Sequence, residues 1–230
     1  MRVQALLFDK DGTLFDFDAT WSNWTLGIIE HFSEGDAGTT QRLADTLDFD
    51  LEARVYRPTS PVIAGTNRET AELVASALPG RDVNEIETHL SVSAANAPLA
   101  PVVPIASFMT AFRAEGMKLG VMTNDTELSA RSQLSAADAL DVFDFVIGHD
   151  SGFGAKPDPD PLLAFAAHVD VDPKDVAMVG DSTHDLIAGR RAGMRTVGVL
   201  TGPASEDELS EYADVVLPDI SHLTDWLKSA

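Results

Sequence analysis

Cysteine is missing from all 230 residues, which excludes a disulfide framework, a thiolate zinc site, an iron–sulfur cluster and a thiol nucleophile. Basic residues are scarce: 16 Lys and Arg stand against 37 Asp and Glu, a formal charge of −21. A nucleic-acid binder needs a basic footprint to displace phosphate counterions, and docking on an anionic leaflet needs one too, so the balance argues against both partners. No apolar run approaches the roughly 18 residues of a membrane span. The apolar opening, Val3 to Phe8, stops at Asp9 with no small-residue cleavage site behind it, and reads most simply as a buried strand of a cytoplasmic protein. Neither a phosphate-binding P-loop nor a Gly-x-Gly-x-x-Gly is present, which removes the usual sequence support for a nucleotide cofactor. What is there is a composition of 44% apolar and 23% charged residues, that of a globular chain able to bury a sizeable core. The length suits one large domain or a core carrying a smaller one.

From about residue 100 onward, short apolar runs alternate with helical patterns. Strands are expected at Leu119 to Met122, Phe143 to Ile147, Val176 to Val179, Thr196 to Leu200 and Val215 to Leu217. Helices are expected near 105–115, 126–137, 160–169, 184–193 and 205–212. Such alternation points to βα units and an α/β, Rossmann-like parallel sheet covered on both faces, with Val3 to Phe8 as its first strand. Residues 16–98 are too many for a loop in a compact domain. Within them Trp21, Trp24, Ile28 and Phe32 recur at helical spacing, as do Thr70, Leu73, Val74, Ala77 and Leu78, and further helices fit near 38–48 and 82–95. The expected organisation is therefore a core of residues 1–15 and 99–230 with an inserted helical domain of residues 16–98. The prolines at 98, 101 and 104 mark the return crossing.

Four polar clusters follow strands in order. Asp9-Lys10-Asp11-Gly12-Thr13 leaves the first strand; continued extension would send Asp9 and Asp11 to one side and Lys10 to the other, with Gly12 free to turn the chain. Thr123-Asn124 ends the strand at Met122, where α/β sheets bind ligands. Lys156 stands in the proline-bearing loop Gly154 to Pro159, the only Lys or Arg between Arg131 and Lys174. Gly180-Asp181-Ser182-Thr183-His184-Asp185 leaves a strand and opens a helix. There Asp181 or Ser182 as a cap and Asp185 as a first-turn acid compete with a metal-binding reading.

This set resembles the haloacid dehalogenase-like (HAD) hydrolase superfamily, with all four of its motifs in place and the inserted segment matching the family's helical cap. The phosphoglycolate phosphatase and β-phosphoglucomutase branch is the most similar. The resemblance implies a phosphatase in which Asp9 attacks phosphorus to form an aspartyl-phosphate and Asp11 protonates the departing alcohol, then deprotonates water. It further implies that Thr123, Asn124 and Lys156 hold the phosphoryl oxygens. Metal ligation falls to Asp9, the backbone carbonyl of Asp11 and Asp181, with Asp185 bracing the site. Four acids against Lys156 leave three uncompensated charges, so a cation is expected, and oxygen ligands alone suit Mg²⁺. The acid at position 11 separates this chain from the dehalogenases, which lack one there, and from transport ATPases, which carry Thr.

The expected partner is a small phosphorylated metabolite such as phosphoglycolate or a sugar phosphate, handled by a monomer or homodimer. Arg57 and Arg68, beside the loop 58–66, are the candidates for a substrate carboxylate, against a reading of each as a surface arginine on an acidic insert, while Trp21 and Trp24 read as packing residues of the insert. A phosphomutase that returns its phosphoryl group, or a non-enzymatic phosphate-binding relative, are the competing readings.

Overall fold

The computed structural model describes residues 3–57, 59–63 and 65–229. In chain order the elements are β1 (Ala5–Phe8), α1 (Phe17–Ser33), α2 (Ala37–Thr46), β2 (Phe49–Asp50), β3 (Val55–Tyr56), α3 (Asn67–Ala77), α4 (Val83–Ala94) and α5 (Ile105–Ala114). They continue with β4 (Lys118–Met122), α6 (Glu127–Ala136), β5 (Phe145–Ile147), α7 (Asp160–Val169), β6 (Val176–Gly180), α8 (Thr183–Ala192), β7 (Arg195–Val199), α9 (Glu206–Ser210), β8 (Val215–Leu217) and α10 (Leu223–Ser229).

Six strands form one parallel sheet in the order β5-β4-β1-β6-β7-β8. β1 lies at its centre, with Phe8 opposite Val121 on one side and Val179 on the other. Period-two alternation in β1 feeds two cores: Leu6 and Phe8 pack with Met109 and Phe112 of α5 and Leu134 of α6, while Ala5 and Leu7 pack with Leu162 and Phe165 of α7 and Ala188 of α8. Both faces being covered explains why these strands read as continuous apolar runs. Gly120 of β4 makes room for α7, since a Cβ there would come within 2.6 Å of the Phe165 ring.

The helical segment between β1 and α5 wraps a separate apolar cluster that includes Trp21, Ile28, Leu43, Phe49, Val74 and Leu90. Its helices start where the sequence supplies oxygen acceptors: Asp16 caps α1 through Ala19 N at 2.9 Å, and Thr66 with Glu69 closes a capping box on α3, satisfying backbone donors that the helix leaves open. The two crossings to the sheet are tied together, Asp16 N donating to Ala100 O at 2.8 Å and Val102 N to Leu14 O at 3.0 Å. The short β2–β3 hairpin and the terminal α10 were not expected from the pattern, and Phe143 and Asp144 precede β5 rather than belonging to it. Among the described residues no helix is long and apolar enough to cross a membrane.

Candidate active site

The carboxyl ends of β1, β4 and β6 meet at one point beneath α1 and α3. Asp9 continues the ladder for one residue, its N–H donating to Val179 O at 2.8 Å, and so brings its carboxylate level with Asp181 beyond β6. Carboxylate oxygens of Asp9, Asp181 and Asp185 lie within 4.8 Å of one another, all three side chains buried. Lys156 reaches them from its loop: Nζ is 2.5 Å from Asp9 Oδ1 and 2.7 Å from Asp185 Oδ1, and donates to Met122 O at 3.0 Å.

The lysine is held in place by Asn124. The amide Nδ2 donates to Lys156 O at 2.9 Å and Oδ1 accepts from Lys156 N at 2.9 Å. Asn124 thus positions the Lys156 backbone and also lines the cavity, where the sequence puts it against phosphate oxygens. Thr123, buried at the tip of β4, lines the cavity and accepts from Asp125 N at 3.0 Å. Asp185 serves two ends. Its Oδ2 accepts from Ser182 N at 3.0 Å and Ser182 Oγ at 2.8 Å, closing the capping box of α8, while Oδ1 faces Lys156. Asp185 thus caps α8 and at the same time lies in the buried acidic cluster.

Glycines shape this cluster. A Cβ on Gly12, which sits at φ +82°, would run into the Asp181 carboxylate, as would one on Gly202; a Cβ on Gly180 would strike Asp185. Thr201 fastens the Gly12 turn, its hydroxyl donating to Gly12 O at 2.6 Å. The Thr201-Gly202 loop after β7 escaped the sequence reading, although a Gly-Pro turn at a strand end was its available signal.

Lys10 departs from expectation. Instead of pointing away from Asp11 it folds back onto it, Nζ lying 2.6 Å from Asp11 Oδ2, 3.3 Å from Asp125 Oδ2 and 2.5 Å from Gln133 Oε1. The reason is local: beyond Asp9 the chain curls, with Leu14 N and Phe15 N both donating to Lys10 O, so strand alternation no longer applies. The ammonium has no exposure and lies 5.2 Å above the Trp21 ring, a cation–π contact. Burial alone would push its pKa down; Asp11 and Asp125 outweigh that and hold it above the ordinary lysine value.

The acids are perturbed in the opposite sense. Burial, reinforced by Asp185 and Asp11 and opposed by Lys156, pushes Asp9 up to about 7. Asp181 is raised well above the usual carboxylate range by burial and by Asp9 and Asp185. Asp11 is raised by burial, against the pull of Lys10 and a hydrogen bond from the Trp21 indole. Three buried carboxylates facing one lysine are short of positive charge. All-oxygen donors walled by glycines fit a hard divalent cation bound by Asp9, Asp181 and Asp185.

Over the cluster lies a cavity of about 80 Å³ between the strand ends and the helical segment. Its floor carries Asp9, Asp11, Thr123, Lys156, Asp181 and Asp185, and its roof Phe17, Trp21, Trp24, Tyr56, Val62 and Ile63. Trp21 and Trp24 therefore pack within the helical segment and face the site. The two arginines expected near a substrate are engaged elsewhere: Arg57 pairs with Asp48 at 3.2 Å and Arg68 with Glu87 at 2.9 Å, on the outside.

Two curated proteins match this chain almost end to end. Pyrophosphatase PpaX of Bacillus velezensis is 27% identical over 96% of this chain and 95% of its own length. Phosphoglycolate phosphatase of Nitrosospira multiformis is 27% identical over 100% and 98% respectively. The crystal structure of a HAD phosphatase from Thermococcus onnurineus superposes with a TM-score of 0.68 at 22% identity, covering 99% of this chain and 98% of that one, a likeness of fold. Residues 6–199, from the middle of β1 to the end of β7, match the sequence profile of the haloacid dehalogenase-like hydrolases. The span holds the strand-end clusters at Asp9, Thr123, Lys156 and Asp181, and the chain belongs to that family.

Proposed function

We propose that this hydrolase is a Mg²⁺-dependent phosphatase acting on a small phosphorylated metabolite through an aspartyl-phosphate on Asp9. The observation that carries the reading is the buried meeting of Asp9, Asp181 and Asp185 with Lys156, beside an Asp11 whose carboxyl is held by Lys10 and Trp21. An Asp9 oxygen attacks phosphorus as the bond to the departing oxygen breaks, and Asp11 gives that oxygen its proton. Water then attacks the same phosphorus, Asp11 takes back a proton, and the Asp9–phosphorus bond breaks to release inorganic phosphate. The raised pKa of Asp11 favours the protonated form that the first step needs. Lys156 neutralises Asp9 and Asp185 and keeps the nucleophile aimed. A divalent cation bound among Asp9, Asp181 and Asp185 would supply the positive charge that lets an anionic ester approach.

In this reading residues 16–98 form a cap over a core of residues 1–15 and 99–230, and the aromatic roof keeps bulk water away while the phosphoryl group passes to Asp9, the hydrolytic water entering after the alcohol leaves. The paired crossings at 14–16 and 100–102 are the place for the cap to pivot. Phosphorylated metabolites are retained inside cells by their charge, which puts the enzyme in the cytoplasm.

Turnover of p-nitrophenyl phosphate, with and without Mg²⁺, by wild type and Asp9→Asn tests this. We expect metal-dependent phosphate release by wild type and none by the variant. Equal activity in both proteins, or activity in neither, would overturn the mechanism; a lasting phosphoenzyme without released phosphate would select the mutase reading.

A further inference from the structure

We propose that the ester cleaved here carries an uncharged, predominantly apolar alcohol, aromatic or branched aliphatic, and that esters bearing a carboxylate are disfavoured. The inference rests on the phosphatase reading and concerns the half of the cavity that receives the departing alcohol. That half is hydrocarbon. Trp21 and Trp24 meet edge to face with ring centroids 5.0 Å apart, Phe17 and Tyr56 lie at 5.7 Å, and Val62 and Ile63 complete the wall.

The polar tips of these rings are already engaged. The Trp24 indole N–H donates to Ser93 Oγ at 3.0 Å, the Tyr56 hydroxyl is bonded to Thr25, and the Trp21 indole N–H is bonded to Asp11. Two polar roof residues are turned to their own segment: Asn67 Nδ2 donates to Glu87 O at 3.2 Å, and the Thr70 hydroxyl to Thr66 O at 3.1 Å. What the roof offers a ligand is ring and methyl surface, which rewards apolar contact.

Positive charge is equally committed. Among the described residues lining the cavity, Lys156 is the one Lys or Arg, and it serves Asp9 and Asp185. Lys10 lies beneath the floor and serves Asp11 and Asp125. None of the segment's five arginines lines the cavity; Arg57, Arg68 and Arg81 make ion pairs on the outside. A substrate carboxylate would shed its water beneath this roof, find no uncommitted Lys or Arg, with His184 at the start of α8 the one other basic side chain among the described lining residues, and sit near Asp11 and Asp125. Leaving such a group unpaired lowers recognition by roughly 10- to 100-fold.

Three primary alkyl phosphates with similar departing alcohols separate the cases: benzyl phosphate, phosphoglycolate and glycerol 1-phosphate, each assayed for phosphate release with Mg²⁺. The expected kcat/KM for benzyl phosphate exceeds that for phosphoglycolate by at least ~10-fold, with glycerol 1-phosphate between them. In Ile63→Arg, which puts a cation in the roof, the ratio of phosphoglycolate to benzyl phosphate should rise by ~10-fold or more, while Ile63→Gln, polar but uncharged, should leave the phosphoglycolate deficit in place. Phosphoglycolate turned over as well as benzyl phosphate by wild type would overturn the inference and leave the phosphatase reading standing. An unchanged ratio in an active Ile63→Arg would also overturn it. Failure of wild type on all three esters and on p-nitrophenyl phosphate would instead remove the phosphatase reading itself.

Discussion

Replacing Lys10 by Met keeps the length and apolar stem of the side chain and deletes its charge. The ammonium holds Asp11 at 2.6 Å, Asp125 at 3.3 Å and the Gln133 amide oxygen at 2.5 Å, with no exposure to water. Asp11 and Asp125 are themselves only 15% and 10% exposed at the side chain, so the variant strands two neighbouring carboxylates with little solvent to turn to. Removing one partner of a buried ion pair costs about 3–5 kcal/mol. Gln133 also loses its acceptor's partner, although its Nε2 still donates to Ala94 O at 2.8 Å. The stranded acids can respond by taking up a proton, which limits the loss, and we expect about 3 kcal/mol at pH 8.

The pH sense follows from Asp11. Lys10 is the largest influence pulling its pKa down against burial, so without Lys10 the folded-state pKa climbs further. A carboxyl raised in the folded state gives stability that is present at low pH and lost as pH rises through the raised value. The deficit of Lys10→Met should therefore be small near pH 5 and full at pH 8. For a chain of this size each kcal/mol moves the melting temperature by roughly 2–4 °C, so thermal unfolding should show a fall of about 6–12 °C at pH 8. Asp125→Asn added to the variant should recover part of it, because one stranded charge is gone. A variant melting within 2 °C of wild type at both pH values would refute the argument that this buried lysine is held by its acids.

Gly12→Ala places a Cβ against the Asp181 carboxylate in a left-handed backbone; it should lose at least ~2 kcal/mol in urea unfolding and bind Mg²⁺ more weakly in calorimetric titration. Burial holds protons on Asp9 up to about pH 7, where an unfolded aspartate has already released them near 4. This site's share of stability in the metal-free protein is thus fully present below about pH 4 and drains as pH rises through 7. Mg²⁺ reverses that loss by binding the ionised acids, so its stabilisation in a thermal shift assay should be clearly larger at pH 8 than at pH 5; equal gains at the two pH values would count against metal binding by these carboxylates.

Strand ends were the legible part of the molecule. A buried parallel strand is an unbroken apolar run, so a polar residue just after it, such as Asp9, Thr123 or Asp181, announces the sheet's carboxyl edge, and β1, β4 and β6 lie side by side in the fold. Lys156 is legible as an isolated charge in a loop, but the clamp that holds it is not, because Asn124 lies 32 residues away and leaves no local pattern. The two-residue strands β2 and β3 are too short to show alternation, yet they put Tyr56 in the roof. Arg57 and Arg68 take the surface role. On an acidic segment an arginine finds a carboxylate nearby, and Asp48 and Glu87 claim these two on the outer surface.

The charge excess takes on a different meaning once the two buried lysines are placed. Lys156 ties Asp9 to Asp185, and Lys10 ties Asp11 to Asp125. Asp9 and Asp11 thus each have an ammonium in contact, and Asp181 has none within ion-pair distance, its carboxylate wedged between Gly12 and Gly202 with the Thr13 hydroxyl donating to Oδ1 at 3.3 Å. Five carboxylates against two ammoniums leave the cluster three positive charges short. In the proposed reading this shortfall, sharpest at Asp181, would couple the folded state of the protein to a divalent ion. Neutralising Asp181 as Asn should weaken that coupling more than any change at Asp185, whose two oxygens already face Lys156 and Ser182.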